Sequence, residues 1–133
     1  DLLSDLAFEP DHVRLQCERE IKGKLLLLRE SFLQSGGKKK ELHAVIASSL
    51  QAFIAIFKGL LFLKKQELPE SNREIITAAC AASGLKADLF LQLLDVKQQR
   101  LRPDEAQTTK LFLDYLKEVK NMYTIVDREE SSA

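Results

Sequence analysis

The chain has 133 residues, 20 Lys and Arg against 20 Asp and Glu, 45% hydrophobic residues and two cysteines. That length suits one domain burying roughly two-thirds of its unfolded surface, and two cysteines exclude a disulfide scaffold. Formal neutrality excludes a protein held on nucleic acid by bulk charge, and five glycines with three prolines exclude a long low-complexity chain.

The sequence opens at Asp1 with DLLSDLAFEP. It has neither the basic start nor the long apolar run of a signal peptide. Leu2, Leu3, Leu6 and Phe8 lie in a short acidic segment closed by Pro10. Residues 1–10 therefore read as an interdomain tether that docks, and the whole as one domain of two. A first helix is expected over 11–35, with Asp11 as its N-cap and Gly36-Gly37 as its stop. Cys17, Ile21, Leu25, Leu28 and Phe32, spaced 4, 4, 3 and 4, form its buried stripe.

A second helix is expected over about 39–66. Leu42, Ile46, Leu50, Phe53, Phe57 and Leu60 make its seam, and Val45, Ile54, Ile56, Leu61 and Phe62 are apolar too. Its uncharged stretch covers only 42–57, includes Ser48, Ser49 and Gln51, and is ended by Lys58. A membrane span needs about 20 apolar residues, so the expectation is a central core helix and no membrane partner.

Pro69 closes that segment, and Ser71 with Glu74 is a capping box for a short third helix ending at Gly84. Its residues are mostly small. A fourth, about 87–99, carries Leu89, Phe90, Leu93, Leu94 and Val96. Pro103 suits the first turn of a fifth helix, with Asp104 and Glu105 favourable to its dipole. Phe112, Tyr115, Val119, Met122 and Val126 form its heptad-like seam, and 131–133 read as a disordered tail. The expected fold is all-α: an antiparallel, four-helix-type bundle of three long helices plus a short helical pair, over 11–130.

Catalytic signatures are missing from the sequence. There is no G-x-S-x-G, GxxxxGK[ST], H-E-x-x-H or CxxC. His12 and His43 lack partners at zinc-ligand spacing, and Cys17 and Cys80 sit in apolar helical contexts. Lys38-Lys39-Lys40 reads as a solvated helix start. No catalytic residue, metal site or cofactor is expected.

The first helix is the exception. Leu15, Leu26 and Leu33 fall on a second apolar sector, roughly 120° from the main stripe at about 100° per residue. Between the two sectors lie Arg14, Glu18, Lys22 and Arg29. Charges bracketed this way are partly desolvated, so they pair with one another or meet a ligand or another domain. Glu18 and Lys22, at i, i+4 in the favourable order, give the internal pair. Arg14, Lys22 and Arg29 offer donors to phosphate or carboxylate in the other account. Leu27 projects with Gln16, Glu20 and Gly23 on the side facing water.

The text HVRLQCEREIKGKLLLLRESFL resembles the start of the helical C-terminal part of bacterial nucleotidyltransferase-like proteins, with a pattern L-x-Q-x-E-x-E-x-x-x-K-L-L-x-L-R-x-x-[YF]-L. Leu15, Gln16, Glu18, Glu20, Lys24, Leu25, Leu26, Leu28, Arg29, Phe32 and Leu33 carry the match. DLLSDLAFEP is similar to that family's interdomain junction, and SSLQAFIAIFKGLLFL to its later helices. The resemblance implies a non-catalytic substrate-binding or accessory bundle in a cytoplasmic protein, partnered by an N-terminal nucleotidyltransferase-type domain. The family's GS…DxD motif is not in this chain, and Ser35-Gly36-Gly37 has no DxD behind it. The R-x4-6-H motif of the related HEPN nucleases is missing as well. The alternative expectation is a self-associating module, a homodimer, using the seams of the second and fifth helices.

Overall fold

Pro10 starts the first helix, α1 (Pro10–Ser35), one residue earlier than expected, because its fixed φ and missing N–H suit the N1 position. Glu9, extended at φ −67° and ψ 131°, takes the N-cap place expected for Asp11. The computed structural model describes residues 9–132, so most of the expected tether over 1–10 lies outside the described residues. At the other end Gly36 adopts φ +60°, which a side chain resists. Ser35 Oγ closes the turn, donating to the Phe32 carbonyl at 2.7 Å and accepting the Gly37 N–H at 3.1 Å.

Helix α2 (Lys39–Leu63) stops three residues short of the expected end. Lys65 enters the left-handed region at φ +57°, and the Gln66 N–H reaches back to the Leu61 carbonyl at 3.0 Å. This six-to-one bond is how helices close when the backbone reverses hand. The same reversal at Gln99 (φ +60°) ends α4 (Ala87–Lys97) two residues early. Between them, α3 (Asn72–Ser83) is capped as its sequence indicates, with Ser71 Oγ accepting the Glu74 N–H at 3.1 Å. The last helix, α5 (Glu105–Ser132), does not contain Pro103. Asp104 caps it instead: Asp104 Oδ1 accepts the Gln107 N–H at 2.8 Å, and Gln107 Oε1 accepts the Asp104 N–H at 2.9 Å. That reciprocal box excludes the preceding proline from the helix.

The molecule is all-α, with five helices and no strand among the described residues. Three helices have 25 to 28 residues and two have 11 or 12. α2 touches the other four. Its seam Leu42, Ile46, Leu50, Phe53 and Phe57 is fully buried, as is the α5 seam Phe112, Tyr115, Val119, Met122 and Val126. An aromatic cluster joins them through α4: Phe57 meets Phe90 edge-on at 5.0 Å, and Phe53 meets Tyr115 edge-on at 5.6 Å. By length and composition α2 could also cross a membrane, and half of its most apolar stretch is buried inside the protein.

Two polar pairs set α2 against α5. His43 Nε2 lies 2.9 Å from Thr108 Oγ1, and Ser49 Oγ lies 2.8 Å from Tyr115 Oη. Their sequence separations, 65 and 66, are nearly equal, so the two helices run the same way in one register. Phe32 stacks on Phe112 at 5.6 Å, bringing the end of α1 to the start of α5.

Candidate functional site

α1 buries one arc, Val13, Cys17, Ile21, Leu25 and Leu28, against α2 and α5. Both neighbours lie on the same side of it, so a sector 120° away has nothing to bury against. Leu15, Leu26 and Leu33 are accordingly 42, 52 and 79% exposed. The second apolar sector of α1 therefore faces solvent. With Arg19, Lys22 and Arg29, all exposed, its leucines make one outward stripe spaced 4, 3, 4, 3 and 4.

The four charged residues singled out on this helix are split. Arg14 and Glu18 lie on the flank toward the core and are half-buried. Arg14 Nη2 turns back one turn to Asp11 Oδ1 at 3.3 Å, and Oε2 of Glu18 is shielded from solvent. Lys22 and Arg29 stand in water beside Leu26 and Leu33. Solvated cations next to solvated leucines offer a rim-like contact surface rather than an enclosed anion pocket.

The opposite flank of α1 lines a groove. It has a volume of about 530 Å³ and a floor of Val13, Cys17, Ile56, Gly59 and Phe62. Gln16 and Glu20 rim it from α1, Lys58 from α2, and Leu68 closes one end. Gly59 makes the groove possible, since a Cβ there would meet Cys17 Sγ at 2.7 Å. The sequence held one signal for it: glycine inside a helix costs about 1 kcal/mol relative to alanine, and such a residue usually has a packing reason. Leu27, 47% exposed, lies on the same flank nearer the middle of α1.

The thiol on the groove floor is not an activated nucleophile. Burial, with the Glu20 charge adding to it, pushes the Cys17 thiol up to about 11. Burial and then Glu118 push Cys80 up to about 12. Both thiols are therefore protonated at neutral pH and inert as attacking groups. Among the described residues no cluster of His, Cys, Asp or Glu could hold a metal ion.

A second cleft, of about 570 Å³, lies between α4 and α5. Its charges already answer one another: Lys110 Nζ meets Asp114 Oδ2 at 2.9 Å. Glu118 Oε2 accepts the Lys86 N–H at 2.6 Å, where an anion would otherwise sit at the start of α4.

Compared with protein-family models, with curated proteins and with solved structures, the chain finds no match.

Proposed function

We propose that this chain is a non-catalytic accessory module that binds a neighbouring protein domain through the outward stripe of α1. The bundle would be of the four-helix type, antiparallel except that α2 and α5 run the same way, its three long helices and short pair serving as a rigid mount for that stripe. The observation that carries this reading is the exposure of Leu15, Leu26 and Leu33 in one line with Lys22 and Arg29. Aligned leucines left in water by a chain that buries its other seams mark a contact surface.

The partner is an N-terminal nucleotidyltransferase-type domain of a bacterial, cytoplasmic protein, which the module braces or supplies with positioned substrate. Four residues that carry the family resemblance, Leu15, Leu26, Arg29 and Leu33, belong to the outward stripe and are not needed for the core. The α2 and α5 seams are buried within the chain, so self-association would need another surface, for which this stripe is one candidate.

The test is to express the chain with the residues encoded upstream of Asp1. A GS…DxD-bearing domain that binds this chain, and loses about tenfold in affinity with Lys22→Ala, Leu26→Asp and Arg29→Ala combined, supports the reading. An upstream region without that motif, or an affinity unmoved by the three substitutions, overturns it. Light scattering on the purified chain separates out the homodimer.

A further inference from the structure

The groove between α1 and α2 lies on the other flank of α1 from the proposed partner stripe and is not used by that reading. Its floor is apolar, formed by Val13, Cys17, Ile56 and Phe62, over a volume of about 530 Å³. Nor does the apolar surface stop at its ends. On α2 the outward line Val45, Ser48, Ala52, Ala55, Gly59 and Phe62, spaced 3, 4, 3, 4 and 3, carries no charge and is half-buried or exposed throughout. On α1, Leu27 is 47% exposed two turns beyond Glu20 on the same flank, and Leu68, 56% exposed, stands at the other end.

Length decides between kinds of occupant. From Val45 to Phe62 the line runs about 26 Å, and from Val13 to Leu27 about 21 Å, at about 1.5 Å per residue. A compact small molecule covers a fraction of that. A helix of about 15 residues covers it with a single apolar ridge.

Charge fixes the edges of such a helix. Glu20 stands on the α1 wall and Lys58 on the α2 wall, both exposed, and neither makes a salt bridge among the described residues. Opposite signs on facing walls ask for an occupant polarised across its width. A helix has two polar edges beside its apolar ridge and supplies that, whereas an amphiphile with a single head group does not.

We propose that the α1–α2 groove seats an amphipathic helix of a partner protein, about 15 residues long, with a basic edge toward Glu20 and an acidic edge toward Lys58. Reversing the helix in the groove exchanges its edges. The same two charges therefore set the direction in which the partner chain runs.

The test titrates the intact chain with a designed helix of about 15 residues. The probe has leucines on one ridge, lysines along one edge, glutamates along the other and a nitroxide at its N-terminus. Methyl signals are compared before and after reduction of the nitroxide. The expected result is shifts at Val13 and Ile56 with Leu94 unmoved, and bleaching confined to one end of the groove, either Leu68 or Val45. Exchanging the rim charges with Glu20→Lys and Lys58→Glu together should move the bleaching to the other end. Ala55→Glu, at an exposed helix position where the unfolding midpoint should hold, should weaken binding about tenfold. Missing shifts, bleaching at both ends or at the same end in both proteins, or binding untouched by Ala55→Glu each overturns the proposal. So do groove shifts that grow with protein concentration without the probe, which assign the groove to a second copy.

Discussion

Cys17 Sγ stands 2.7 Å from the point that a Cβ on Gly59 would occupy, so the two positions share one volume between α1 and α2. Gly59→Ala gains about 1 kcal/mol of helix propensity but overpacks the contact by about 1–3 kcal/mol. The expected outcome is a net loss of stability for Gly59→Ala in denaturant unfolding. Adding Cys17→Ala removes the sulfur, so the double variant should be more stable than the sum of the single changes by about 1 kcal/mol or more.

Ser49 and Tyr115 predict an asymmetry. Ser49 Oγ donates to the Ile46 carbonyl at 3.3 Å and accepts from the Tyr115 hydroxyl at 2.8 Å. Tyr115→Phe leaves Ser49 with its backbone partner and should cost about 1 kcal/mol. Ser49→Ala strands the hydroxyl of a fully buried tyrosine and should cost more, about 1–3 kcal/mol. Equal midpoint shifts in urea for the two variants would refute this assignment.

His43 makes stability depend on pH. Partial burial, helped by the Lys39 charge, holds its pKa below the usual 6.5, so the folded chain prefers the neutral ring. The unfolded chain therefore binds the proton more readily. The contribution is present in full above about pH 6.5 and is lost as pH falls through the lower folded value. Unfolding between pH 7.5 and 5.5 should show a drop that His43→Gln, measured alongside, does not share.

Glu118 predicts a local effect. Its Oε2 holds the Lys86 N–H at 2.6 Å, so α4 takes its N-terminal cap from a different helix. Glu118→Ala should lower stability by about 1–2 kcal/mol, and amide exchange should rise first at residues 86–89. Uniform exchange along α4 would count against a capping role.

The helices and their inward seams could be read from the sequence because periodicity reports which residues need burial. Ser71 and Glu74 were legible for a local reason, since a cap spans three residues. Asp104 and Gln107 carry the same spacing, but the adjacent Pro103 drew the expected start of α5 two residues too early. What periodicity could not tell is how many neighbours a helix has. Leu15, Leu26 and Leu33 had the spacing of a second buried sector, and only the placement of α2 and α5 on one side of α1 leaves them in water. The groove and the Glu118 cap were hidden for a related reason: each joins residues 32 to 46 positions apart, by a geometry that no local pattern encodes.

The central position of α2 also bears on how the chain is made. Its hydrogen-bond partners on α5, Thr108 and Tyr115, follow it in the sequence by more than 40 residues. At about 5–20 residues per second, a ribosome takes about 2–10 s to supply them. During that interval α1, and then α3 and α4 as they emerge, can cover the most apolar segment of the chain, while the face that α5 will fill stays open. A helix that composition alone would allow into a bilayer is thus presented, unfinished, to whatever machinery samples nascent chains, and the arrival of α5 is the step that withdraws it.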